Sequence, residues 1–319
     1  MFTLAELEAA HALVAQTLPP TPALRWPLLC ERLGAEAIVK HENHNPTGAF
    51  KVRGGLTFVD ALMRRAPATR ALVSATRGNH GQSLAFACGR AGLTPIIYVP
   101  HGNSVEKNAA MRAYGARLVE HGSDFQAARE EAGRFAAREG LELVPSFHRD
   151  LVRGVATYAL ELLRAYPDLD VLYVPIGQGS GICGAVAARD ALRLRTEIVG
   201  VQAEGAPAYA LSFSAGRAVT TPSADTHADG MATRAPDAEA LDLIMRRVAR
   251  IVTVSDDEIA AAVRAYWTDT HNLAEGAGAA ALAAASQERS RLGSRKVGLV
   301  LSGGNIDFDL FQRWIAGNP

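Results

Sequence analysis

Of the 33 basic residues in this 319-residue chain only four are lysines, Lys40, Lys51, Lys107 and Lys296, so any amine chemistry must come from one of them. Lys51 has the most suggestive setting. In HENHNPTGAFKVRGG, residues 41–55, Asn45 to Gly48 read as a turn and Phe50, Lys51 and Val52 as the start of a helix. An amine there meets the positive end of the helix dipole, which lowers its pKa and favours the free base that forms a Schiff base with a carbonyl. A second loop, SATRGNHGQS (74–83), leads into a helix near His80, and its amides, the Thr76 hydroxyl and the Asn79 side chain suit an anion such as a carboxylate. In a third, VPIGQGSGICGA (174–185), the N–H groups of Gly177, Gln178, Gly179, Ser180 and Gly181 can close on a phosphate at a helix start. The fourth, VLSGGNIDF (300–308), ends a strand with Ser302, Gly303, Gly304 and Asn305 and offers a neutral hydroxyl. Taken singly, these segments also read as a solvated lysine and ordinary capped turns.

The elements that must hold these loops are legible in the pattern. ALVS, TPIIYV, ARLVE, LELVP, VLYVPI, EIVGVQA and KVGLVL are short β-branched runs separated by Ala- and Leu-rich stretches, among them helices around 151–164 and 181–194. Such alternation predicts crossover units on a parallel sheet, an α/β fold. Reactive groups of such sheets collect beyond the carboxyl ends of the strands, where all four loops fall. Ser212 to Asp237 reads as the longest irregular stretch, of a length that is often functional. MFTLAELEAAH carries acids where a signal peptide needs a basic end and so reads as a surface helix, and the apolar run near residue 280 is too short for a bilayer. Beyond KVGLVLSGGNIDF no added regulatory module is expected.

Composition excludes some function classes. The 33 basic residues balance 33 acidic ones, so no chain-wide field attracts nucleic acid or an anionic membrane, and a small neutral or zwitterionic partner fits better. Cys30, Cys88 and Cys183 are too scattered for a disulfide framework or a zinc site and point to a reducing cytoplasm. His41 and His44 lie three apart before a turn and do not form HExxH. One rival chemistry stands: Gly179, Gly181 and Gly184 spell G-x-G-x-x-G after a strand, with Glu204 ending the next, which in isolation predicts an NAD(P)-dependent oxidoreductase. That reading leaves the other three loops without a task.

Asn-Pro-Thr-Gly-Ala-Phe-Lys, then Gly-Asn-His-Gly, then the Gly-rich turn, then Ser-Gly-Gly-Asn, in that order, resembles the serine/threonine dehydratase family of fold-type II (tryptophan synthase β-like) pyridoxal-phosphate enzymes. The likeness runs over nearly the whole chain and includes HADG (227–230) and VTVSDDEI (252–259). It implies two open, twisted, largely parallel sheets flanked by helices, with pyridoxal 5'-phosphate in the interdomain cleft. It further implies a large domain from residues 1–69 and 146–319, a small inserted domain at 70–145, and a homodimer. Lys51 would carry the cofactor, with Phe50 beside the ring, Asn79 on the ring hydroxyl, the Gly177–Gly181 backbone on the phosphate, Ser302 opposite the pyridine nitrogen and the Gly230 backbone near the ring. Thr76, Arg77, Gly78, Asn79 and His80 would hold the substrate carboxylate. The implied reaction is α,β-elimination from a β-hydroxy-α-amino acid of the threonine or serine type, giving a 2-oxo acid and ammonia. A hydroxyl opposite the ring nitrogen, unlike a carboxylate, favours prompt loss of the β-substituent over a long-lived carbanion.

Three departures shape the expectation. Arg77 stands where racemases of the family have a serine, and a guanidinium is a poor general base, so a racemase is not expected. Arg77 either contacts a distal substrate group, as in 3-hydroxyaspartate or phenylserine, or forms a surface ion pair. Gln178 and Ser180 interrupt a turn that is usually all glycine, and Ala210 replaces the acid that would partner Glu204, so no obligatory metal is expected.

Overall fold

Residues 1–317 are described in a computed structural model, and the alternating pattern resolves there into ten strands and fourteen helices. The strands are β1 (Ala23–Arg25), β2 (Glu36–His41), β3 (Ala71–Ala75), β4 (Thr94–Val99), β5 (Arg117–Glu120), β6 (Glu142–Val144), β7 (Val171–Pro175), β8 (Glu197–Ala203), β9 (Arg250–Val254) and β10 (Lys296–Leu301). The helices are α1 (Leu4–Ala15), α2 (Pro27–Leu33), α3 (Lys51–Arg65), α4 (Asn79–Ala91), α5 (Val105–Ala113), α6 (Phe125–Glu139), α7 (Arg149–Ala165), α8 (Ser180–Ala191), α9 (Ala208–Ala215), α10 (Ala238–Arg247), α11 (Asp256–Thr270), α12 (Gly276–Gln287), α13 (Arg289–Leu292) and α14 (Phe308–Ile315).

Two sheets result. The larger has the order β1-β2-β10-β7-β8-β9, parallel except for β1, and the smaller, β5-β4-β3-β6, is parallel throughout. Both faces of the larger sheet are covered, which is why its strands read as continuous apolar runs. Successive side chains alternate between its two cores: Val39, Tyr173, Val199 and Leu299 enter one with the Ala-rich α12, while Ile38, Leu172, Val174 and Val300 enter the other with α7 and α8. On the smaller sheet Leu72, Ile97 and Val99 pack against Phe58, Val59 and Leu62 of α3, and Val73, Ile96 and Tyr98 against Ala128, Ala132 and Ala136 of α6. Helix α3 thus begins at the edge of the larger sheet and buries its apolar face on the smaller one.

Two local expectations need correction. The stretch from Ser212 to Asp237 is not irregular throughout: its first residues belong to α9, which follows Pro207, buries Ala208 and Tyr209, and ends at the left-handed Gly216. Helix α1 is not merely a surface helix, since Leu7, Ala10 and Val14 are buried. Among the described residues no helix is long and apolar enough to cross a membrane.

Candidate active site

Helix caps mark where the chain leaves donors free. Helices α1 and α11 carry capping boxes, and Ser104, Asp124 and Asp237 cap α5, α6 and α10 with their side chains. Helices α4 and α8 follow Gly78 and Gly179 with no side-chain cap, and both N-termini open onto one cavity between the two sheets. That cavity brings together the residues nominated for cofactor and substrate: Phe50, Lys51, Thr76, Arg77, Gly78, Asn79, His80, Gly177, Gln178, Gly179, Ser180, Gly181, Gly230 and Ser302.

Lys51 is the first residue of α3, whose start is tied down by Phe50 N–H donating to the Ser302 carbonyl at 3.0 Å and by the Ser83 hydroxyl donating to the Lys51 carbonyl at 2.6 Å. Its Nζ donates to Ser180 Oγ at 2.8 Å and lies 5.0 Å from the centroid of the Phe50 ring. Burial brings the pKa of the amine down to about 8, and among the described residues no carboxylate pairs with it to oppose that shift. Withdrawal from water therefore acts in the same direction as the dipole of the helix that Lys51 begins.

The turn after β7 is built for an anion. None of the N–H groups of Gly177 to Gly181 donates to an acceptor among the described residues. Gly179 takes the left-handed conformation, with φ 96°, so Gln178 is spared it. The Gln178 carbonyl accepts from the Tyr209 hydroxyl at 3.1 Å, and its side chain donates to Thr233 Oγ1 at 3.4 Å. A Cβ at Gly177 would stand 2.1 Å from the Gly230 carbonyl oxygen, so only glycine lets these two backbones meet. A cradle of N–H donors with a serine hydroxyl and the Lys51 amine at its edge fits a phosphate.

The turn after β3 offers a second cradle. Thr76 Oγ1 accepts from the N–H groups of Gly78 and Gly81 at 3.0 and 3.3 Å, which curls the loop and leaves the N–H groups of Arg77, Asn79 and His80 without an acceptor among the described residues. His80 is kept neutral: burial, with Lys51 nearby, lowers its pKa to about 3, and its Nε2 has no partner among the described residues.

Sequence reasoning missed the acids and the second lysine of this wall. Asn79 Nδ2 donates to Glu275 Oε1 at 2.6 Å, and Lys107 Nζ lies 3.5 Å from Glu275 and 3.4 Å from Asp229. Arg77 Nε reaches Asp229 at 3.8 Å. Burial opposes the charge on Lys107, but Glu275 and Asp229 outweigh it and its pKa is raised; burial likewise raises that of Glu275. The scarcity of lysine could have flagged Lys107, and Asp229 lies within the HADG segment. Glu275 precedes an Ala-rich helix and carries no local signal. Among the described residues no group of three or more His, Cys, Asp or Glu side chains could hold a metal ion.

Residues 14–303 match the family described as "Pyridoxal-phosphate dependent enzyme". An L-threonine ammonia-lyase of Thermotoga maritima is 32% identical over 99% of this chain and 78% of its own length. An L-threo-3-hydroxyaspartate ammonia-lyase of Saccharomyces cerevisiae is 32% identical over 93% of this chain and 91% of its own. Among solved structures, a pyridoxal 5'-phosphate-dependent aspartate racemase superposes with a TM-score of 0.91 at 28% identity, covering 96% of this chain and 97% of that one. The dinucleotide reading falls with this result. Gly184 instead seats α8 on α7, where a Cβ would come within 3.0 Å of the Ala156 backbone, and Glu204 is exposed.

Proposed function

The chain belongs to the pyridoxal-phosphate dependent enzyme family, and from that premise we propose that Lys51 is its reactive amine in an ammonia-lyase acting on threonine or serine. One observation carries the reading: a lysine with no counter-ion among the described residues, its pKa near 8, lies one hydrogen bond from a serine at the mouth of an uncapped, glycine-lined turn. When bound, the cofactor supplies a carbonyl carbon that condenses with amines and an electron-withdrawing ring that acidifies the Cα–H of an attached amino acid.

The residues divide the remaining work. N–H groups of Gly177, Gln178, Gly179, Ser180 and Gly181 would hold the phosphate, the Ser302 hydroxyl would serve the ring nitrogen, Phe50 and the Gly230 backbone would hold the ring, and Asn79 would serve its hydroxyl. The substrate carboxylate is received by the 76–80 loop, through the free N–H groups of Arg77, Asn79 and His80, with Thr76 and Gly78 shaping the curve. At pH 7.5 about a quarter of an amine with this pKa is neutral, so Lys51 Nζ can accept the Cα proton, with Ser180 Oγ fixing its direction. A neutral His80 keeps a second positive charge off that path.

A second reading extends the substrate to an acidic side chain such as 3-hydroxyaspartate. Arg77 lines the cavity, is well exposed and is held by Asp229 only loosely, at 3.8 Å, which leaves its guanidinium free to meet a second carboxylate, whereas Lys107 is already shared between Asp229 and Glu275. The family likeness also supports residues 1–69 and 146–319 as the cofactor-holding domain, 70–145 as the smaller one, and a cytoplasmic homodimer. The test is 2-oxo acid release from L-threonine, L-serine and 3-hydroxyaspartate by the cofactor-loaded protein. We expect release by wild type and none by Lys51→Ala; a turnover-competent Lys51→Ala protein rejects the assignment.

A further inference from the structure

An asparagine amide has two ends of nearly equal size, one a donor and one an acceptor, and only its partners decide which faces where. Asn79 has such partners on both sides. Asn305 Nδ2 donates to Asn79 Oδ1 at 2.8 Å, and Asn79 Nδ2 donates to Glu275 Oε1 at 2.6 Å. Glu275 does not by itself fix the choice. Its buried carboxyl has a raised pKa, and once protonated it donates to an amide oxygen as readily as a carboxylate accepts from an amide nitrogen.

Asn305 is fixed by the main chain. Its Nδ2 also donates to the Thr47 carbonyl at 2.8 Å, and a carbonyl can only accept. With the amino end of Asn305 so defined, the group it meets on Asn79 must be the oxygen. Room for this arrangement comes from Gly48, where φ is 66° and a Cβ would lie 2.3 Å from Asn305 Oδ1.

From this geometry we infer that Asn305 is a positioning residue, which, anchored on the Thr47 carbonyl, holds the Asn79 amide so that its NH2 end is the one offered to the cofactor's ring hydroxyl. The inference rests on the reading that Asn79 meets that hydroxyl. A donor there favours the ionised oxygen of the ring and an acceptor favours the protonated one. The ionised form absorbs at longer wavelength, so the orientation has a spectroscopic signature separate from turnover.

Asn305→Asp keeps the size of the side chain but replaces its donors with oxygens that accept, which invites Asn79 to turn over. The experiment records the ratio of long- to short-wavelength absorbance of the bound cofactor in wild type, Asn305→Asp, Asn79→Ala and the double variant. The ratio is expected to fall about tenfold in Asn305→Asp, the size of one lost hydrogen bond to a charged oxygen. It should fall in Asn79→Ala as well, with no further fall in the double variant. Asn305→Ala, which removes the donors without adding charge, reports the same change in sign should the aspartate variant fail to fold. An unchanged ratio in both Asn305 variants, with Asn79→Ala altered, overturns the inference alone. An unchanged ratio in Asn79→Ala overturns the placement of Asn79 beneath it.

Discussion

Lys51 and Arg53 stand two residues apart on α3, both cations drawn away from water, and their surroundings make opposite things of them. Two residues turn an α-helix by about 200°, so the side chains leave on opposite faces. Lys51 faces the cavity, pairs with no carboxylate among the described residues, and has its pKa brought down to about 8. Arg53 enters a closed ionic knot. Its guanidinium donates to both oxygens of Glu42 at 2.7 and 3.0 Å, to both oxygens of Glu161 at 2.7 and 2.9 Å, and to Thr157 Oγ1 at 3.0 Å. Lys40 joins through Glu161 at 2.6 Å. Burial opposes ionisation of Arg53, but Glu42 and Glu161 more than compensate, and its pKa is raised. Removal from water thus produces a titrating amine where counter-ions are absent and a permanent tie where they converge. The tie also holds the first turns of α3 against the turn that follows β2 and against α7, which keeps Lys51 in register.

The contrast can be broken most severely at the reactive end. Lys51→Ala is expected to lower 2-oxo acid formation on the order of 10⁴-fold or more while the thermal midpoint stays close to wild type, because the change frees only the Ser180 hydroxyl and strands no buried charge. The reverse holds for the knot. Glu42→Ala leaves Arg53 half-paired and should cost about 3–5 kcal/mol in urea unfolding, since the buried guanidinium keeps its charge. Equal stability losses in the two variants would erase the distinction between them.

Arg77 sharpens the comparison as a third case, a cation at the rim, well exposed and distant from its partner. Arg77→Ala should leave stability within about 0.5 kcal/mol. Its kcat/KM for 3-hydroxyaspartate should fall about tenfold relative to threonine if a second carboxylate docks there, and the ratio of the two values is the measurement. The smallest effect concerns protons. The neutral fraction of an amine with a pKa near 8 rises about fivefold between pH 7 and pH 8, so the rate of cofactor uptake by apoprotein, followed by absorbance, should rise with pH by that factor. A flat profile over this interval removes Lys51 as the group that titrates.

Much of the frame was readable because it is written locally. Apolar strands of five or six residues, Gly-rich turns and helix starts appear where their own sequence dictates; α4 begins one residue before the expected His80, and α8 begins at Ser180, inside the anticipated cradle. The four loops were legible for the same reason. What escaped is tertiary. Glu275 meets Asn79 across 196 residues, and Glu161 meets Arg53 across 108, so no window of sequence contains either pair. The burial that lowers the Lys51 pKa was also out of reach, because a helix start can be read locally while enclosure by Phe50 and distant walls cannot. That the left-handed angle in this turn falls on Gly179 and not on Gln178 was likewise not legible, because residue types leave backbone angles open.

The position of β10 in the larger sheet has a consequence for synthesis on the ribosome. It lies between β2 and β7 and is the seam through which β1-β2 and β7-β8-β9 are joined into one sheet, yet it follows all of them in the chain. The two partial sheets must wait, edges unpaired, until this strand emerges, and Ser302 arrives directly behind it. The Ser302 edge of the proposed cofactor pocket is therefore the last piece of its lining laid during translation, and capture of the cofactor there would report that the large sheet has closed.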